Sequence, residues 1–313
     1  MNVFFPEGHL INNQENRNSF LSYHTLLEAR DKRKILEARA IVCDSEHNLL
    51  VDLHCMKGII PREEGAVGIK EGTTRDIAII SKVNKPVCFM VMGFKDDGND
   101  VKAILSRKYA QELCIENKIS NLIPGDVIPA RVTHMENFGV FADIGCGIIS
   151  FLPIDSISVS RISHPNERFK IGENIKVIVK SLIGDRINLT HKELLGTWEE
   201  NVSLFNIGET VPGIVRSIED YGIFIELTPN LAGLAEYKSH MQEGQQASVH
   251  IKNIIKNKMK IKLVIIEAFN EIKDPEPTKY FFDGDHIEKF TYSPENCTKI
   301  IETNFVNIET CVR

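Results

Sequence analysis

PGDVIPARVTHMENFGVFADI at 124–144 and IGETVPGIVRSIEDYGIFIEL at 207–227 lie over one another without a gap. Gly125 falls on Gly208, Pro129 on Pro212, Val132 on Val215, Glu136 on Glu219, Phe138 on Tyr221, Gly139 on Gly222 and Phe141 on Phe224. Self-similarity of this kind means that one structural unit is present twice, and it outranks every local assignment. Each copy opens on a glycine and an acid and runs into a stretch where apolar residues partly alternate. It then turns through polar residues and enters a second such stretch. Period-two alternation without a helical period predicts a β-meander.

The later halves agree as well. FKIGENIKVIVK from Phe169 is followed by a turn at Gly184 and Asp185 and by RINL ending at Leu189. QEGQQASVHIK from Gln242 is followed by a turn at Lys256 and Asn257 and by MKIKL ending at Leu263. About five short strands in roughly 60–75 residues is the size and pattern of a small closed barrel, the OB-fold. Between the copies, Thr190 with Glu193 three residues later predicts a capping box. Leu194, Leu195, Trp198, Val202 and Phe205 then recur at helical spacing until Asn206 and Gly208. The lone Trp198, on an apolar helix face, reads as packing rather than as a base-stacking ring.

Working outward, the fold class is all-β, with tandem five-stranded OB-fold barrels joined by short helices. Residues 1–34 form an N-terminal extension with an amphipathic helix over Ser19–Lys34. Residues 35–118 are a diverged third copy, with a hairpin of Ala38–Cys43 and Leu49–Leu53 around Asp44–Asn48. Closing strands follow at Val87–Met92 and Val101–Leu105. The second barrel is 119–195, the linker helix 196–206 and the third barrel 207–266. Residues 267–313 are an acidic C-terminal tail that either packs on the final barrel or stays partly disordered.

The 313 residues are 42% hydrophobic and 26% charged, values ordinary for a folded soluble protein and against wholesale disorder or a membrane class. Apolar runs such as Ile175–Ile183 and Ile261–Ile266 are broken by lysine or end far short of the roughly 20 residues a bilayer span needs. The opening Met1–Asn18 has no basic patch followed by an apolar run, so no secretory signal is expected and the expected location is the cytoplasm.

Seven cysteines without a Cys-x-x-Cys pair point to reduced, mostly buried thiols. The cluster Cys43, His47, His54 and Cys55 matches no zinc module, so no metal or cofactor is expected; small core residues explain it better. The formal net charge is −6, which taken alone argues against a nucleic-acid binder. Its distribution matters more than its sum, although a charge run is by default a solvated face. From Gln245 to Lys262 there are five lysines and no acid, whereas from Leu263 to the end there are ten acids and five basic residues.

At FGVF (138–141) and YGIF (221–224) the chain resembles the aromatic-Gly-x-Phe signature of the S1 RNA-binding domain family. SRISHPNERFKIG (160–172) is similar to the segment before the fourth strand in that family's ribosomal members, and GIIP (58–61) with ILSRK (104–108) to pieces of their early, ribosome-docking repeats. The resemblance covers about residues 35–265, and it implies a protein that binds single-stranded RNA, mRNA in particular, and acts in translation. Phe138, Phe141, Tyr221 and Phe224 would stack bases, each worth roughly 1–3 kcal/mol. Arg186, Lys258, Lys260 and Lys262 would hold phosphates. A period of two from Lys258 to Lys262 places all three lysines on one strand face.

The match has gaps. Where the family often has a histidine after the third strand, these copies carry Pro153 and Glu236. The first copy has His47-Asn-Leu-Leu50 where the rings belong, so its expected role is docking, with the small ribosomal subunit as partner. No phosphate-binding loop, metalloprotease helix or nucleophile elbow is present, so no enzyme is expected. The alternatives are an RNA-binding accessory subunit of an RNA-degrading or regulatory assembly and, from another class, a metalloprotein built on Cys43, His54 and Cys55.

Overall fold

A computed structural model of the chain describes residues 4–96, 98, 100–184, 186–269 and 277–305. Among the described residues strand outweighs helix, and fifteen strands form three closed barrels. Ahead of them come α1 (Gln14–Asn18) and α2 (Tyr23–Asp31), the latter capped by Ser22 and burying Leu26 and Ala29. The first barrel has β1 (Leu36–Cys43), β2 (Leu49–Asp52), β3 (Lys57–Ile60), β4 (Pro86–Asp96) and β5 (Val101–Ser106), with the short α3 (Ile77–Ile80) between β3 and β4. α4 (Arg107–Asn117), which the sequence reading did not assign, follows with Ser106 as its N-cap.

The second barrel has β6 (Val127–Glu136), β7 (Gly139–Asp143), β8 (Ile149–Pro153), β9 (Asn174–Ile183) and β10 (Arg186–Thr190). After α5 (Trp198–Val202) the third has β11 (Thr210–Glu219), β12 (Gly222–Thr228), β13 (Leu231–Ala235), β14 (Gln246–Ile255) and β15 (Lys260–Phe269). In each barrel the meander's third strand pairs with the fifth, and the fourth closes the cylinder. Closure removes the sheet edges that would otherwise invite pairing with other chains.

Alternation builds the cores. From Lys260 to Ile265 in β15 every second residue is buried, so Ile261, Leu263 and Ile265 join Val215, Ile223, Ile225, Val249 and Ile251 inside the third barrel. Each such side chain contributes about 1.5–3 kcal/mol on burial. The motif glycines are required by close approach: a methyl group on Gly139 would lie 2.4 Å from Leu152 O, and one on Gly222 would lie 2.5 Å from Ala235 O. Only glycine lets the third strand's carbonyl pass there.

The linker departs from the expected helix. Thr190 is the last residue of β10, and its hydroxyl donates to Glu193 Oε2 at 2.6 Å. Gly196, at φ +84°, breaks the chain direction. The capping box is formed instead by Thr197 and Glu200, and α5 has five residues. Trp198 is buried in the third barrel's core, in keeping with a packing role.

By its contacts the chain divides into two compact units. One runs to Leu122 and takes in Pro129–Arg131 and Asp143–Ile149; the other holds the remaining residues to the C-terminal end. In the second unit, residues 277–305 pack on both the second and third barrels. Phe281 N–H donates to Leu194 O (2.9 Å), Ile287 N–H to Gly125 O (2.9 Å) and Trp198 N–H to Tyr292 O (3.0 Å). Ile287 and Phe305 are buried with Ile178 and Leu194, while β16 (Lys289–Thr291) and β17 (Glu302–Asn304) form a hairpin. The acidic segment is thus folded structure over this stretch; residues 270–276 and 306–313 lie outside the described residues. Among the described residues no helix is long and apolar enough to cross a membrane.

Candidate nucleic-acid interface

β7 begins at Gly139, so Phe138 stands at the strand's entrance and Phe141 two residues in, on the outer side of the barrel wall. Phe138 is 58% exposed and Phe141 half-buried. The rings are 6.2 Å apart, centroid to centroid, and perpendicular. The third barrel repeats the arrangement, with Tyr221 69% exposed and 6.2 Å from Phe224 at an interplanar angle of 87°. Rings with one face open to water at a repeated position meet the geometric need of base stacking, because every base offers a π-face.

The second barrel adds residues that the sequence reading missed. Phe151 of β8 lies 5.3 Å from Phe141 and 5.7 Å from Phe138, which makes a three-ring cluster. The signal for it was the alternation in ISFLP (149–153), where Ser150 and Leu152 point inward and Phe151 outward. His134 lies beside Phe141 at 6.1 Å with the rings nearly parallel, and its Nε2 is 2.7 Å from Glu136.

Register shows how cations reach the rings. In the third barrel Phe224 pairs with Leu234, and Leu234 with Lys262, so the three side chains form one row across β12, β13 and β15. Two strand spacings put Lys262 about 10 Å from Phe224. Lys260, two residues earlier, shares that outer face, and both lysines are exposed. In the second barrel the corresponding row ends at Asn188, which pairs with Phe151 and donates to Ser181 Oγ at 3.1 Å. Arg186 is exposed two residues before Asn188, at the place Lys260 holds in its copy.

Lys258 is a correction. It sits in the 3₁₀ turn Lys256–Lys258, and Met259 follows in a left-handed conformation at φ +48°, so the strand starts only at Lys260. Period-two alternation does not reach back to Lys258, because the turn resets it. Lys260 and Lys262 share a face; Lys258 does not belong to that strand.

In the first barrel the row is aliphatic: Val42 pairs with Leu50, Leu50 with Ile59 and Ile59 with Ile104. Leu50 holds the place of Phe224. His47, at the place of Tyr221, lies 3.5 Å from Asp76, whose carboxylate takes two bonds from Arg62 at 2.7 and 3.1 Å. Arg62 beside Asp76 holds that carboxyl below its usual range. No stacking ring stands on this row.

Behind the second barrel's wall, burial sets the state of His191. Desolvation pushes it down to about 4, so it is neutral at pH 7. Its Nδ1–H donates to Ile157 O (2.9 Å), and Nε2 faces the Tyr280 hydroxyl at 3.4 Å. Among the described residues no group of His, Cys, Asp and Glu is arranged to hold a metal ion.

Residues 121–192 match the S1 RNA binding domain family. The small ribosomal subunit protein bS1 of Staphylococcus epidermidis is 29% identical over 289 residues, which cover 85% of this chain and 71% of that protein. A bS1 homolog of Bacillus cereus is 31% identical over 188 residues, 54% of this chain and 49% of its own. A solved multidomain protein with nucleic acid binding domains from Streptococcus pneumoniae covers 75% of this chain at 15% identity; its TM-score of 0.25 carries no argument. The chain thus carries an S1 RNA binding domain at 121–192, in the second of three barrels of one topology, and along most of its length it is similar to the ribosomal protein bS1.

Proposed function

We propose that the chain binds single-stranded RNA, mRNA in particular, and acts in translation in the cytoplasm as a protein of the ribosomal S1 kind. Bases stack on Phe138, Phe141 and Phe151 in one barrel and on Tyr221 and Phe224 in the next. Arg186, Lys260 and Lys262 hold phosphates, and Lys258 meets the strand only from its turn. The observation that carries this reading is the perpendicular, water-facing ring pair at the same place in two barrels. The first barrel, whose row is aliphatic, docks on the small ribosomal subunit. Binding, not catalysis, is the activity proposed, and it needs no cofactor.

A fluorescence titration of the full chain with labelled oligouridine tests the binding. Expected is a saturable curve that weakens with salt, log K falling by about 0.7 per phosphate neutralised on a single strand. No binding at low salt would refute the proposal. Co-sedimentation with the small ribosomal subunit is expected; co-purification with a nuclease instead would move the chain to an RNA-degrading assembly.

A further inference from the structure

Four charged side chains are gathered where the second barrel meets the third. Glu167 and Arg168 belong to the second barrel's loop between β8 and β9, Arg216 to β11 and Glu226 to β12. Arg168 Nη2 is 2.6 Å from Glu226 Oε2, and Arg216 Nε is 2.7 Å from the same oxygen. Arg216 also pairs with Glu167, which in turn accepts bonds from Ser163 and His164 in its own loop. The side chains of Arg168, Arg216 and Glu226 are less than one-tenth exposed. The quartet is neutral, two cations against two anions, which is what burial of charge demands.

Its place in the register matters. β11 carries a bulge between Val215 and Ser217, so Arg216 is the extra residue, and the next pair is Ser217 with Phe224. A bulge re-aims its side chain, here toward the second barrel's loop. Glu226 lies two residues beyond Phe224, on the same outer face as that ring. The face that carries the third barrel's platform therefore continues directly into the ion cluster. Neighbouring bonds run across the same junction: Val159 N–H donates to Asn230 Oδ1 (3.0 Å), Ser160 N–H to Pro229 O (3.0 Å) and Asn230 Nδ2 to Lys192 O (2.7 Å).

We infer that Glu226 is a positioning residue: with Arg168, Arg216 and Glu167 it locks the second and third barrels into one double platform, so that a single RNA strand is held by both at a fixed spacing. This rests on the proposed RNA binding. It adds that affinity for a long strand is larger than either platform gives alone, because the second contact is made at a high effective concentration set by a rigid junction. A freely swinging junction would spread that concentration over many arrangements.

The test compares the full chain with Glu226→Gln, which keeps size and removes the charge. Labelled oligouridines of about 6 and about 24 nucleotides are the probes, short and long relative to the roughly 4–16 nucleotides that one OB barrel covers. Expected is an unchanged affinity for the short strand and about a tenfold loss of the gain on going to the long one, with Glu226→Asp restoring most of it. Backbone NMR relaxation should show the two barrels tumbling together in the natural chain, and added exchange broadening at the junction residues around Arg168 and Arg216 in Glu226→Gln. Should that variant fail to fold, Glu167→Gln, whose side chain is 25% exposed, is expected to show the same loss in smaller measure. A natural chain that binds the long strand while these variants keep the full length-dependent gain would overturn the latch and leave RNA binding standing. A natural chain that binds neither strand would overturn the RNA reading itself.

Discussion

Replacing Phe138 or Tyr221 by alanine separates stacking from scaffolding. With 58% and 69% of their surface in water, the two rings bury less than half of what a core phenylalanine or tyrosine buries. Full burial of such a ring is worth about 1.5–3 kcal/mol. Truncation should therefore cost about 1 kcal/mol of stability or less, against about 3–5 kcal/mol for an aromatic removed from a packed core. A stacked base is worth about 1–3 kcal/mol, so each alanine variant should weaken oligouridine binding by about 5- to 140-fold. Phe138→Tyr and Tyr221→Phe should change binding little, since stacking needs the π-face and tolerates the hydroxyl. Phe141 and Phe224, half-buried, should lose both binding and stability on truncation. Fluorescence titration paired with thermal melts of the same samples measures both quantities. Early melting of Phe138→Ala and Tyr221→Ala, with normal RNA binding by the folded fraction, would make the motif a packing device.

The charge row predicts that Arg186→Gln, Lys260→Gln and Lys262→Gln together lower the slope of log K against log salt by about 2, at about 0.7 per phosphate contact; Lys258→Gln, in the turn, should change it least, and equal slopes for all four single variants would refute the row. In the full chain His47→Ala should leave oligouridine affinity unchanged, since His47 faces Asp76 and no ring stands on the first barrel's row; a loss comparable to that of Tyr221→Ala would show that the first barrel also binds RNA. His191 is held down at about 4 by burial and by the nearby Arg168, against an ordinary 6.5. Between those values the unfolded chain binds the extra proton, so stability present above pH 6.5 is lost as pH falls toward 4, by about 3 kcal/mol. Melting curves of the natural chain and His191→Phe across pH 4.5–7 should converge toward the acid end, and parallel curves would contradict a buried neutral imidazole.

The repeat was legible because a barrel wall imposes a period of two wherever one face is buried, and because the motif glycine is fixed by the approach of the third strand. Phe138, Phe141, Tyr221 and Phe224 stood out by their repeated spacing, since each pair belongs to one strand and its entrance, and the resemblance to the S1 domain supplied the role expected of them. Leu50 and His47 could be recognised as replacements for rings by the same spacing. Tandem five-stranded barrels, with Trp198 as packing, were in that sense written locally.

Other features depend on partners distant in sequence. Phe151 joins the ring cluster, and Lys262 the row of Phe224, only through pairing between strands. Lys258 left that row because a left-handed Met259 reset the alternation. The expected cap at Thr190 moved to Thr197 because strand β10 kept Thr190 and Gly196 turned the chain. The tail's acids hid the apolar residues Ile287, Tyr292 and Phe305, which fold it onto two barrels. The quartet of buried Arg168, Arg216 and Glu226 with half-buried Glu167 looks in sequence like ordinary surface charge. A strand's local alternation fixes which way its side chains face; which charges lose their water is fixed only when a bulge and a loop from another barrel meet, and that is decided by tertiary structure.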